Sequence, residues 1–297
     1  MATDYLPFRA EVSPPARTLP AGACDCHFHV FEPAAGGERS GLAGALAHPL
    51  AEPRSYTPTP ASLAAYRAMA ATLGLQRGVL VHPSVFGRDH ASFEALLGSC
   101  GAWMRGVAVV YPDTPQRDIE RWHALGARGT RCNALFDGGA AERDIPTIVD
   151  RVRALGWHLQ VLMDVGRDPR QVLQLAELGV PLVVDHFGHV PAAQALQSRG
   201  FANLLALVRE GRAWVKLSGA YRISPQRRGF GDVAPLAEAL LHANPARLLW
   251  GSDWPHPAIA PPMPDDGHLV DALIAACSEH ELQQVLVDNP TRLYWVD

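Results

Sequence analysis

The chain has 297 residues, a formal net charge of −4 and 48% apolar residues. That length suits one large α/β barrel or two average domains, and the apolar fraction supplies a sizeable core. The charge has no basic bias, which argues against nucleic acid or acidic membrane as partners, and no stretch is apolar for long enough to span a bilayer.

Residues 1–22 form a proline-dotted arm with no periodicity and no apolar core of signal-peptide length. The cysteines, at 24, 26, 100, 132 and 277, are odd in number. Cys24-Asp25-Cys26 is not a Cys-x-x-Cys and no second pair accompanies it, so a zinc ribbon is not expected. A reduced, cytoplasmic enzyme or binding protein acting on a small molecule is the expected class.

Residues 23–30 read as a short buried strand carrying His27-x-His29 at its end. Alternation places Asp25, His27 and His29 on one face, and Cys24, Cys26, Phe28 and Val30 on an apolar other face. Two imidazoles so placed clamp a metal, polarise a carbonyl, or simply hydrogen-bond near a strand end. Residues 31–60, rich in Ala, Gly and Pro, are too long for a turn, and such connections tend to carry function or to move. Pro60 then fits the first position of a helix running to Leu73, stopped by Gly74. From there strands over 78–83, 106–111, 129–135, 158–163, 181–186, 213–218 and 247–253 alternate with helices over 90–99, 115–125, 146–155, 169–178, 201–209, 233–242 and 269–280. Residues 289–295 read as a short closing helix, and the glycines of Gly229-Phe230-Gly231 suit a hinge. Eight strand–helix units with near-continuous apolar strands predict a (β/α)8 TIM barrel, a single domain over 23–297 behind the arm 1–22. An open doubly wound sheet is the runner-up, but its Gly-rich phosphate turn after the first strand is missing.

Chemistry in such a barrel sits at the C-terminal strand ends. His27 and His29 fall there on the first strand, His82 and Ser84 on the second, and Arg131 and Asn133 on the fourth in phase with Gly129. The sixth ends in Asp185, His186 and His189, the seventh in Lys216, then Tyr221 and Arg222, and the eighth in Asp253 and His256. Each alone has a structural reading. His82 suits a core histidine, Arg131 a partner for Asp25 or Asp164, and Asp185 an acceptor for backbone donors, while Lys216 is assigned no role. His48, His90, His123, His158, His242, His268 and His280 are expected on surfaces or helix faces. Jointly, His27, His29, His186 and Asp253 point to one site.

Asp25-x-His27-x-His29, His186 and Gly251-Ser252-Asp253-Trp254-Pro255 resemble the amidohydrolase superfamily. Residues 24–31, 82–85, 128–133, 185–188, 215–219 and 289–294 resemble, more narrowly, its amidohydrolase-2 lactonases of the 2-pyrone-4,6-dicarboxylate hydrolase type. The resemblance implies water attack on a small lactone, with Asp253 as general base and His27, His29, His186 and Arg131 holding the oxyanion. Arg131, His82, Ser84, His189, Tyr221 and Arg222 are the expected substrate contacts. The binuclear branch needs a bridging ligand on strand four, usually a carboxylated lysine, and Gly129, Arg131 and Asn133 offer none. That leaves no required cofactor, as these lactonases imply, or a single zinc on His27, His29, His186 and Asp253. A metal-dependent decarboxylase of the amidohydrolase-2 type and a non-catalytic small-molecule binding barrel are the competing readings.

Dicarboxylate binders of this family carry Arg in a His-Met-Gly-Arg pattern where this chain has His189. They have a basic residue beyond strand four where it has Asp137-Gly138-Gly139, and Gln and His where it has His82 and Phe86. Arginine suits bidentate carboxylate recognition, and histidine replaces it poorly at neutral pH. With Arg131 and Arg222 left to anchor one carboxylate, the expected substrate is a monocarboxylate, sulfonate or neutral lactone. No oligomeric state is legible.

Overall fold

The computed structural model describes residues 6–34, 46–137, 139–226, 229–259 and 262–296. Gly138, in the segment set against the family's basic residue, lies outside them. Eight parallel strands pair in chain order: β1 Cys24–Phe28, β2 Arg77–Val81, β3 Met104–Ala108, β4 Ala127–Asn133, β5 His158–Leu162, β6 Leu182–Val184, β7 Ala213–Leu217 and β8 Leu248–Trp250. Helices Leu63–Leu73, Ala91–Cys100, Gln116–Ala124, Ile145–Val152, Gln171–Ala176, Arg199–Arg209, Ala234–Ala243 and Asp266–Ala276 follow them in turn. The fold is the (β/α)8 barrel. No helix among the described residues is long and apolar enough to cross a membrane.

The last gap, between β8 and β1, is bridged beyond the end of β8. Asp253 N donates to His27 O and His29 N to Trp254 O, each at 2.8 Å. Asp25 secures this seam. Its Oδ1 accepts from His27 N at 3.0 Å and Ser252 N at 2.9 Å, and its Oδ2 from Ser252 Oγ at 2.5 Å and Tyr66 OH at 3.2 Å. Gly251 lets the two segments meet, since a Cβ there would sit 2.6 Å from the Cβ of His27.

The expected facing of β1 needs correction. Asp25 pairs with Gly78 and Phe28 with Leu80, so β1 spends one residue more than β2 between them. This bulge breaks the alternation. Cys24 and Cys26 pack inside the barrel with Val79, Val107 and Leu249. Asp25 and Phe28 instead face the helix layer, where Phe28 stacks on Tyr66 at 3.7 Å. Asp25 therefore does not share a face with His27 and His29.

Other boundaries moved for identifiable reasons. The first helix starts at Leu63, because the Ser62 side chain caps it by accepting from Ala65 N at 3.2 Å. Asp265 caps the Asp266–Ala276 helix through Gly267 N at 3.1 Å and draws its start three residues earlier than the 269 expected. β6 and β8 end early because His186, Phe187 and Asp253 have positive φ, outside the extended region. His90 and His158, expected at the surface, are buried. His90 stacks between His82 and Trp122, each at 4.1 Å, and His158 fills the space that Gly129 leaves in the barrel.

Burial disfavours the charged imidazole, pulling His29 to about 4, His158 and His186 to about 3, and His27 and His82 well below the usual 6.5. Each protonates in the unfolded chain first as pH falls. The stability they contribute is thus complete above 6.5 and is lost as pH falls toward those lower values. Asp25, raised by burial to about 6, works oppositely: its contribution is complete below 3.8 and lost as pH rises through 6. Five imidazoles outweigh one carboxyl, each worth up to about 1.4 kcal/mol per pH unit. The urea midpoint followed by circular dichroism should fall steeply from pH 7 to pH 5, whereas a flat midpoint would refute the neutral buried imidazoles.

Candidate active site

Seven non-glycine residues have positive φ among those described, and all lie on the loops after β6, β7 and β8: His186, Phe187, His189, Phe230, Asp253, His256 and Ala258. Backbone strain concentrated in this way marks a site that the surrounding packing holds in place. Three imidazoles face one carboxylate there. Nε2 of His27 and of His29 each lie 3.8 Å from Asp253 Oδ1, and Nε2 of His186 lies 3.8 Å from Oδ2. Gly219 makes room for His186, since a Cβ there would sit 2.9 Å from Nδ1.

The two oxygens of Asp253 differ. Oδ2 accepts from Arg222 Nε and from Tyr221 OH, both at 2.6 Å. Oδ1 and Nε2 of His27 are buried and have no hydrogen-bond partner among the described residues. Burial pushes this carboxyl up, but Arg222 and then His186, His27 and His29 outweigh it and hold Asp253 well below the usual range. An ionised base with one free oxygen results.

The imidazoles are not equivalent. His29 Nδ1 lies 2.7 Å from the carbonyl oxygen of Val81. A carbonyl only accepts, so Nδ1 carries the proton and neutral His29 turns the lone pair of Nε2 to the site. Its expected part as an oxyanion donor is therefore not met. His186 Nδ1 lies 2.8 Å from Ser218 Oγ, and a hydroxyl donating there leaves Nε2–H free to donate. His27 Nδ1 has Asp185 Oδ1 at 3.3 Å and Lys216 Nζ at 3.4 Å.

Beneath them lies a network only partly anticipated. Asp185 Oδ2 accepts from Arg131 Nε and Gln160 Nε2, both at 3.0 Å, and Lys216 Nζ donates to Gln160 Oε1 at 2.7 Å. Arg131 thus pairs with Asp185, not with Asp25 or Asp164, and the carboxylate of Asp185 serves side chains in place of backbone donors. Burial raises the Asp185 carboxyl, yet His27, Arg131 and Lys216 together hold it well below the usual range.

A chamber of about 20 Å³ is lined by His29, Ser84, Arg131, His186 and Asp253, with Tyr56 from the long first loop. That is space for about one water. It adjoins an outer chamber of about 400 Å³, which holds His189 and Tyr221 and shares Phe136, Arg222 and Ala258 with the inner one. His82 lines neither; it is a core histidine stacked on His90. The three-residue turn Ser84–Phe86 carries Ser84 forward and leaves His82 behind. Tyr56 was missed, its only signal being the length of its loop, and His256 was noted without a role. A separate cavity of about 410 Å³, between helices Ala234–Ala243 and Asp266–Ala276, is bordered by Ser218, Gly219 and Phe230 but by none of the imidazoles, arginines or carboxylates of the site.

His27, His186 and Asp253 each offer a ligand atom within 4.8 Å of the others, so the donor set has the spacing for one cation as well as for one water.

Known proteins resemble this chain over nearly its whole length. The amidohydrolase family model matches residues 24–295. A 2-pyrone-4,6-dicarboxylate hydrolase of Comamonas testosteroni is 36% identical over 98% of this chain and 96% of its own. A 4-sulfomuconolactone hydrolase of Hydrogenophaga intermedia is 33% identical over 95% of this chain and 92% of its own. A ligand-free crystal structure from Agrobacterium tumefaciens superposes with a TM-score of 0.80 at 25% identity, covering 95% of this chain and 99% of its own. The chain belongs to the amidohydrolase family.

Proposed function

We propose that this protein hydrolyses a small lactone bearing at most one anionic group, with Asp253 as general base. The observation that carries the reading is the free, ionised Oδ1 of Asp253 beside a space for one water. Oδ1 takes a proton from water as the water oxygen bonds to the lactone carbonyl carbon. Nε2–H of His186 and the outward N–H groups of Arg131 donate to the oxyanion that forms. The intermediate then expels the ring oxygen, which takes the proton back from Asp253 and gives a ring-opened acid. Relatives acting on pyrone dicarboxylate and on sulfomuconolactone support ring opening as the chemistry. A purely binding barrel has no use for a base whose free oxygen faces a water-sized space.

His27, His186 and Asp253 have the spacing to hold a single zinc; His29 lies outside that set, though its Nε2 lone pair would suit a ligand. Such an ion, when bound, polarises a carbonyl and acidifies water. The one carboxylate in the set is already paired with Arg222, which weakens its hold on a second cation. A reduced, cytoplasmic setting belongs to the same reading, since the five cysteines are free thiols.

Substrate charge follows from the arginines. Arg131 and Arg222 each give Nε to a carboxylate, and Arg222 Nη2 also donates to Pro257 O at 3.1 Å; both side chains line the inner chamber, where their remaining N–H groups can serve one anion. Burial and then Arg222 lower the pKa of His189, so it adds no charge to the outer chamber at neutral pH.

Asp253→Asn should still fold, with a lowered unfolding midpoint because Arg222 loses its carboxylate, and should lose about 10²–10⁴-fold in kcat; turnover near that of the parent would remove Asp253 from the mechanism. On a lactone panel, monocarboxylate, sulfonate and neutral compounds should turn over ahead of 2-pyrone-4,6-dicarboxylate, and His189→Arg should shift preference toward the dicarboxylate. A parent enzyme that prefers the dicarboxylate would overturn the single-anion assignment. Metal analysis should find less than one equivalent of zinc, with turnover surviving chelation. A stoichiometric zinc whose removal abolishes activity would make the site metal-dependent and favour the decarboxylase reading.

A further inference from the structure

Behind Asp253 runs a second line of polar side chains that the hydrolysis above leaves unused. Tyr221 OH, 2.6 Å from Asp253 Oδ2, is also 2.9 Å from His256 Nδ1. His256 Nε2 lies 3.1 Å from Asp266 Oδ1. His256 and Asp266 are both buried, and neither borders the inner or the outer chamber. Asp266 opens the helix Asp266–Ala276, whose capping residue Asp265 is held by the N-terminal arm through Ser13 N and Ser13 Oγ, both at 2.9 Å. The arm touches the segment again where Phe8 packs on Trp254 at 4.9 Å.

We propose that Asp266, His256 and Tyr221 form a positioning chain that fixes the Tyr221 hydroxyl as a donor to Oδ2 of Asp253, so that Oδ1 stays aimed at the attacking water; this rests on Asp253 being the base. A tyrosine hydroxyl has one proton and two neighbours here. The Asp253 carboxylate only accepts, so the proton goes to Oδ2. The Tyr221 oxygen then accepts from Nδ1–H of His256. Asp266 Oδ1 accepts from Nε2–H across the ring, so both nitrogens of His256 carry a proton and donate, and the Asp266 carboxylate holds the ring in the one orientation that keeps Nδ1–H on Tyr221. Arg222 Nε shares Oδ2 from the other side, so rotation of Asp253 would break two charge-assisted hydrogen bonds. His256 and Asp266 are positioning residues, since they reach Asp253 only through Tyr221.

The test compares Tyr221→Phe, His256→Gln, Asp266→Asn and the Tyr221→Phe/His256→Gln double variant, all as full chains, on whichever lactone the parent opens fastest. Tyr221→Phe should lower kcat about 10–100-fold, the effect of losing one hydrogen bond to a charged group, with KM changed less than about threefold. His256→Gln and Asp266→Asn should lower kcat in the same direction. In the Tyr221→Phe background, His256→Gln should add no further loss, whereas a merely structural histidine would cost the same in both backgrounds. A second readout needs no substrate: the side-chain ¹⁵N spectrum of the parent should show both ring nitrogens of His256 protonated, and the Nδ1 signal should move in Tyr221→Phe. Unchanged kcat in His256→Gln, equal losses in the two backgrounds, or a His256 signal indifferent to Tyr221 would each overturn the chain while leaving lactone hydrolysis intact. If the parent opens no lactone but the His256 signal responds to Tyr221, the lactone reading fails and the positioning geometry stands.

Discussion

A barrel has to close, and here the closure depends on a carboxylate that borders neither chamber. Asp25 gathers two backbone N–H groups and two hydroxyls from three segments: its own strand, the residue after Gly251, and the first helix. β8 is too short to pair with β1 along its length, so the seam is made by residues 251–254 instead. Four donors on one buried carboxylate make that junction specific, because any slip would strand polar groups away from water. Asp253 follows directly from Ser252, which Asp25 holds, and its own N–H bonds to His27 O. The clamp therefore holds the residue next to the proposed base.

Around that seam the site balances its charges by pairing. Asp253 is matched by Arg222, and Asp185 by Arg131 with Lys216 nearby. The imidazoles between them stay neutral because burial disfavours their charged form. Each carboxylate is held ionised in a place where burial alone would protonate it. The arrangement keeps a base ready at neutral pH without an isolated buried charge, a state that would otherwise cost several kcal/mol. Identical side chains end up in different chemical states: the carbonyl of Val81 makes Nε2 of His29 an acceptor, while a hydroxyl beside Nδ1 of His186 lets its Nε2 donate.

Depth separates specificity from reaction. The inner chamber has room for about one water beside Asp253, so in the proposed reaction the ring presents its carbonyl there from the outer chamber. Phe136, Phe230 and Tyr221 line that outer space with flat, weakly polar surface, and His189 stands where the family's dicarboxylate binders carry an arginine. Under the single-anion proposal a second carboxylate in that space would meet no further cation, and an anion buried without one is penalised by desolvation.

The sequence by itself determined the architecture. Eight apolar strands at regular spacing with helices between them admit one closed parallel solution, and His27, His29, His186 and Asp253 stand at the mouth because strand ends are fixed by that rhythm. It also exposed the departure at His189, which is a matter of residue type. What only the tertiary structure decided lies wherever local period is broken or partners come from afar. The bulge in β1 turned Asp25 away from the histidines beside it, since one extra residue inverts a period of two. His82 and His158 went to the core and Tyr56 came to the site because packing, not periodicity, chose their neighbours. The tautomer of His29 and the pairing of Tyr221 with His256 depend on atoms 52 and 35 residues distant, respectively, and no local pattern encodes a hydrogen bond of that span.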